Sequence, residues 1–150
     1  MGDLAAALTA EERQFDFWLG TWRVTWGDGL EGRNRIERQL GRVIVEEFDG
    51  RPGVDLLGHS VSVYDRDAAC WKQTWVDSEG GYIDLVGGFA HGRMELFHER
   101  EAEGERVRFR MLFDDISEDG FDWTWSRFLD GAWATRWAIR YERLEPPAGG

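Results

Sequence analysis

Residues 106–142 read RVRFRMLFDDISEDGFDWTWSRFLDGAWATRWAIRYE, and the order of apolar and polar residues in this stretch decides the fold. Val107, Phe109, Met111 and Phe113 alternate with Arg106, Arg108 and Arg110, and Phe121, Trp123 and Trp125 alternate with Asp122, Thr124 and Ser126. Trp133, Trp137, Ile139 and Tyr141 then alternate with Ala134, Arg136, Ala138, Arg140 and Glu142. Successive side chains of a strand point to opposite faces of a sheet, so this period of two specifies β-strands buried on one face. The separators SEDG and LDGA are turn sequences too short for a crossover helix, which makes the three strands antiparallel neighbours.

The same rhythm extends back toward the N-terminus. Turn signals WGDGLEG, FDGRPGVD, YDRDAA, VDSEGG, AHGR and EAEGE arrive about every 8 to 15 residues. Between them lie about ten strands, at 22–27, 32–39, 42–49, 55–65, 69–77, 80–87, 92–100, 105–115, 120–129 and 132–143. Trp71 and Trp75 oppose Lys72 and Thr74; the strands at 32–39, 42–49, 80–87 and 92–100 do not alternate cleanly enough to assign faces. One helix, about 9–19, precedes them: Thr9 and Glu12 form a capping box, Phe15, Trp18 and Leu19 recur at helical spacing, and Gly20 ends it. The tail, 145–150, holds Pro146, Pro147 and glycines and is expected to fray.

Hairpin-linked strands with one apolar face either stack as two sheets or close on themselves, and closure removes both exposed edges. The uniformly short turns predict a single domain over 1–150, an all-β closed antiparallel up-and-down barrel of about ten strands. Eight strands enclose a space that side chains just fill, so ten leave a cavity unless bulky groups occupy it. Aromatic residues make up 14% of the chain and include 9 Trp. Those rings are either that filling or the wall of a ligand pocket.

Composition excludes other classes. A formal charge of −11 repels phosphate backbones and anionic bilayers, so neither nucleic acid nor membrane is an expected partner. Cys70 is the only cysteine, which rules out an internal disulfide and a multi-cysteine zinc site. No apolar run approaches the roughly 18–20 residues of a bilayer span, and Asp3 stands where a signal peptide would be positive. The expected compartment is the cytoplasm.

Phe15-Asp16-Phe17-Trp18-Leu19-Gly20-Thr21-Trp22, with Trp75-Val76-Asp77-Ser78 mid-chain, resembles a bacterial family of small lipocalin-like, calycin-type barrels catalogued as a domain of unknown function. The resemblance covers nearly the whole chain. It implies a short helix leading into the first barrel strand and a basic residue from the last strand over the first-strand tryptophan, here Arg143 over Trp22. The outline is also similar to nitrobindins and fatty-acid-binding barrels, but the last histidine is His98, so no C-terminal haem ligand is present and no cofactor is expected.

Polar residues on an apolar inner face must find a partner, a water or a ligand. By parity, His59 sits with Leu57, Val61 and Val63; Gln73 lies between Trp71 and Trp75; Arg127 extends the row of Phe121, Trp123 and Trp125; and Asn34 and Arg38 point inward if Ile36 does. A few such groups in an aromatic setting are the usual make-up of a small-molecule site. The expected ligand-binding set is therefore Arg38, His59, Gln73, Trp75, Trp123, Trp125, Arg127 and Trp137, holding a small hydrophobic or aromatic molecule. His59, His91 and His98 lack metal-ligand spacing, and no nucleophile motif occurs, so no metal and no catalytic residue is assigned. The alternative, implied by enzymes among calycin-like barrels, is a lyase or isomerase acting on a small aromatic acid through Arg38, Glu47 and Tyr82 or Tyr141. A third reading is a fully packed interaction module, its outer row of Arg106, Arg108, Arg110, Arg136 and Arg140 being a solvated face or a homodimer contact.

Overall fold

A computed structural model describes residues 8–145. The strands are β1 (Gly20–Trp26), β2 (Leu30–Gln39), β3 (Val43–Asp49), β4 (Leu57–Asp65), β5 (Cys70–Asp77), β6 (Tyr82–Ala90), β7 (Arg93–Ala102), β8 (Glu105–Asp114), β9 (Gly120–Leu129) and β10 (Ala132–Glu145). Each pairs antiparallel with its neighbour in sequence, and β1 pairs with β10, closing a ten-stranded up-and-down barrel. Among the described residues no edge strand is left to template aggregation. Glu145 ends β10, while the rest of the tail expected to fray lies outside the described residues.

The N-terminal helix is realised as two short 3₁₀ turns, Glu11–Arg13 and Asp16–Trp18. The capping box forms: the Thr9 backbone N–H donates to Glu12 Oε1 at 3.0 Å and the Glu12 N–H to Thr9 Oγ1 at 3.2 Å. Residues three apart eclipse in a 3₁₀ turn, so Phe15 and Trp18 enter one barrel mouth together. There Phe15 meets Trp71 and both rings meet Phe113, with ring centres 5.1–5.2 Å apart. This mouth is sealed. Arg143 lies over the Trp22 ring at 4.2 Å, the contact that the family resemblance implies.

Two inward assignments are corrected. On β10, a bulge between Thr135 and Trp137 interrupts the alternation. Trp137, Ile139 and Tyr141 face inward, but Trp133 turns outward against Phe97 and Phe128, under Arg110 at 4.8 Å. On β4 the parity is opposite to that expected: Gly58, Ser60 and Ser62 are buried, and Leu57, His59, Val61 and Val63 are exposed. β-Branched residues suit a strand on either face, whereas the inner positions of β4 have room only for small residues. A Cβ on Gly58 would come within 2.1 Å of the Trp75 ring.

The outer arginine row is largely matched within the chain. Arg106 pairs with Glu99 and Glu101, Arg108 with Glu99, Arg110 with Glu95, and Arg140 with Asp122 and Asp115. Among the described residues, no helix is long and apolar enough to cross a membrane.

Candidate functional site

The two halves of the barrel are filled differently. The half nearest the 3₁₀ turns is packed with rings and aliphatic residues, whereas the other half contains a cavity of about 180 Å³. An apolar cavity of about 150 Å³ accepts benzene, so the space suits a single-ring compound. It is smaller than the several hundred cubic ångströms of most ligand pockets.

Five indoles line it: Trp18 from the second 3₁₀ turn and, from the expected set, Trp75 of β5, Trp123 and Trp125 of β9, and Trp137 of β10. These four expected site residues thus converge on one space. Trp123 and Trp137 meet at 89° with ring centres 5.9 Å apart, and Phe48 stands at 88° to Trp137, so the rings form corners instead of a flat stack. Trp125 is backed by Phe109, stacked at 5.2 Å. Trp75 rests on Gly58 and donates its indole N–H to Asp77 Oδ2 at 2.9 Å, which fixes its orientation.

The deep end is polar. Glu46 of β3 is buried, with Oε1 accepting from Ser60 Oγ at 2.6 Å and Oε2 from Asn34 Nδ2 at 2.7 Å. The same Asn34 amide donates to the Tyr141 hydroxyl at 2.8 Å, linking β2, β3, β4 and β10 through side chains. Burial disfavours the charged form and pushes the Glu46 carboxyl from an ordinary 4.5 up to about 7, against the opposing effect of its Ser60 and Asn34 hydrogen bonds. Near neutral pH it can therefore either donate or accept a proton. Burial and the nearby Glu46 charge both raise Tyr141 well above the usual phenol range, so it remains a neutral hydroxyl.

Asp77, the other carboxylate on the lining, behaves oppositely. Burial opposes its ionisation, but hydrogen bonds from the Trp75 indole and the backbone N–H groups of Gly81 and Glu79 outweigh it and hold the carboxyl below its ordinary value.

The remaining expected residues do not join this set. His59 is exposed on the outer face, paired in register with Glu47 and Val76. Gln73 is buried inside the barrel, but its Nε2 donates to Ser62 Oγ at 2.9 Å and it does not line the cavity. Arg38 points inward at the sealed mouth, where it binds Asp16 and holds the second 3₁₀ turn in place. Arg127 follows Trp125 in inward parity beyond the lining, its Nε buried without an acceptor.

The alternative catalytic set is not assembled either. Glu47 is on the outer face, bound to Arg35 at 2.8 Å, and Tyr82 is 70% exposed. Of that set only Tyr141 reaches the cavity.

Sequence reasoning placed Asn34 inward with Ile36, as found, but missed Glu46 and Ser60. In Val43-Ile44-Val45-Glu46-Glu47-Phe48, either parity contains one glutamate, and only the large Phe48 marks the face shared by Ile44 and Glu46. His98 was also missed as a structural element. The β6–β7 ladder extends only from Val86 to Ala90, and beyond it His98 Nδ1 lies 2.7 Å from the Asp84 carbonyl oxygen, bridging the two strands.

No family model matches the chain, and no curated protein matches it either.

Proposed function

We propose that this barrel is a lipocalin-like binding protein that takes up one small aromatic or largely apolar molecule in its lumen. The observation that carries the reading is the convergence of Trp75, Trp123, Trp125 and Trp137 around a single cavity whose deep end bears Glu46, Tyr141 and their shared partner Asn34. Ring burial supplies affinity, since an aromatic ligand removes its own area and that of the walls from water. The deep polar cluster supplies orientation. A closed barrel with one sealed mouth is compatible with such a role, because the ligand would enter and leave from the other end.

The cavity limits the ligand to about one ring with short substituents. A fatty acid or a fused polycycle would need the rings to move apart. Titration with benzyl alcohol, followed by calorimetry and tryptophan fluorescence, tests the reading. Saturable one-to-one binding that disappears in Ile139→Trp, which fills the cavity, is expected. Absence of binding by benzyl alcohol, phenol, indole and benzylamine alike would overturn it.

A further inference from the structure

We propose that the ligand is an organic cation, a protonated or quaternary amine attached to a small apolar or aromatic body. The inference rests on the lumen-binding reading above and specifies its substrate class. Three features of the lining support it.

First, among the described residues the charged groups on the lining are the carboxyls of Glu46 and Asp77, and no arginine, lysine or histidine contributes to it. An anionic ligand would enter a site with no cation to meet it, at a cost that hydrogen bonds from Ser60 and Asn34 cannot offset, because both already donate to Glu46.

Second, the walls are indoles, whose ring faces carry negative electrostatic potential and attract cations more strongly than other aromatic side chains do. Their mutual angles are those of a cage: Trp137 is perpendicular to both Trp123 and Phe48. A neutral aliphatic ligand would gain equally from leucine or isoleucine walls and a neutral aromatic one from the rings alone, so it is the five tryptophans together with two carboxylates that distinguish a cation.

Third, the two carboxyl groups serve different ends of the ligand's path. Asp77 stays ionised on its backbone and indole donors, and it stands at the end of β5, on the open side of the barrel. Glu46 lies at the deep end. A cation passing between the indoles exchanges the attraction of Asp77 for that of Glu46, and the chain's charge of −11 favours its approach.

Binding is then linked to protonation. A bound cation favours ionised Glu46, so below the carboxyl's own titration near 7 uptake of the ligand releases a proton. The groups facing Glu46 are Asn34 from β2, Ser60 from β4 and Tyr141 from β10; of these only Tyr141 titrates, and it stays neutral.

The test is a charge series of one size on the intact protein: benzylammonium, benzyl alcohol and benzoate, titrated by calorimetry at pH 6 and pH 8. We expect benzylammonium to bind at least about tenfold more tightly than benzyl alcohol at pH 8, with benzoate weakest. The benzylammonium advantage should shrink at pH 6, and Glu46→Gln should reduce benzylammonium affinity by a clearly larger factor than benzyl alcohol affinity. Equal affinity for benzylammonium and benzyl alcohol, or tightest binding by benzoate, would overturn the cation inference and leave the lumen-binding reading standing. Failure of all three to bind would overturn both.

Discussion

The guanidinium carbon of Arg143 lies 4.2 Å from the centre of the Trp22 ring, and its three nitrogens donate to the backbone oxygens of Leu19, Phe17 and Glu118. One side chain thus joins the last strand, the first strand, the second 3₁₀ turn and the loop before β9. Trp22 is itself anchored, its indole N–H donating to the Trp18 carbonyl at 2.8 Å. Arg143→Ala should destabilise the fold by about 2–3 kcal/mol, since the cation–π contact is lost and three carbonyls lose their donor. Arg143→Lys keeps the charge but not the planar fork and should recover less than half of the loss. Urea unfolding of the two variants checks this; a cost below about 0.5 kcal/mol, the scale of an ordinary surface change, would contradict it.

Two buried carboxyl groups give the protein opposite responses to pH. Glu12 is held at about 2, chiefly by its hydrogen bond from Arg66 against the penalty of burial, with further help from Thr9 and Arg42. A carboxyl depressed in the folded state stabilises above its unfolded pKa, and that contribution is lost as pH falls from about 4.5 toward 2. Glu46 is raised instead, so the folded state binds more protons than the unfolded one between about 4.5 and 7. Its effect therefore runs the other way. Stability falls as pH rises through that window, by on the order of 3 kcal/mol at most.

Glu46→Gln should remove the loss between pH 5 and pH 8 while leaving the acid limb in place. The neutral amide can keep both contacts if the Asn34 side chain turns over, presenting Oδ1 to it and to the Tyr141 hydroxyl. Unfolding free energies of the native protein and the variant at pH 5, 6.5 and 8 provide the comparison. Parallel curves for the two proteins would contradict the assignment.

Gly58 sets the position of a pocket wall. The Trp75 ring lies so close to its α-carbon that an added methyl group would sit 2.1–2.3 Å from two ring carbons. Gly58→Ala must push that indole into the cavity or tilt it away from Asp77. The variant should lose about 1–3 kcal/mol of stability and bind benzyl alcohol more weakly, with a fluorescence change at Trp75. Unaltered affinity would mean that this indole is not part of the binding surface.

The fold was legible because its strongest signal is periodic. The alternation over 106–142, turn sequences at hairpin spacing and the Thr9/Glu12 capping pair all specify their structures locally. The tryptophan walls followed from the same periodicity. The polar end did not, because β3 and β4 carry apolar β-branched residues on the outer face: Val43 and Val45 outnumber Ile44 on one strand, and Val61 and Val63 displace Ser60 and Ser62 on the other. What chooses the face there is long-range, namely the indole of Trp75 over Gly58 and the bond from Ser60 to Glu46. Trp133 was misplaced for a different reason. A single bulge next to Arg136 reverses the parity of everything before it, and no turn residue announces it.

The central claim is that the indoles of β5, β9 and β10 surround one ligand. Resolving the nine indole N–H signals by nitrogen-15 NMR while titrating with benzylammonium tests it most directly. The predicted result is a saturable shift at Trp75, Trp123, Trp125 and Trp137, with Trp71 at the sealed mouth and Trp133 on the outer face unmoved. Nine stationary signals, or a Trp133 signal that moves while the four remain fixed, would contradict it.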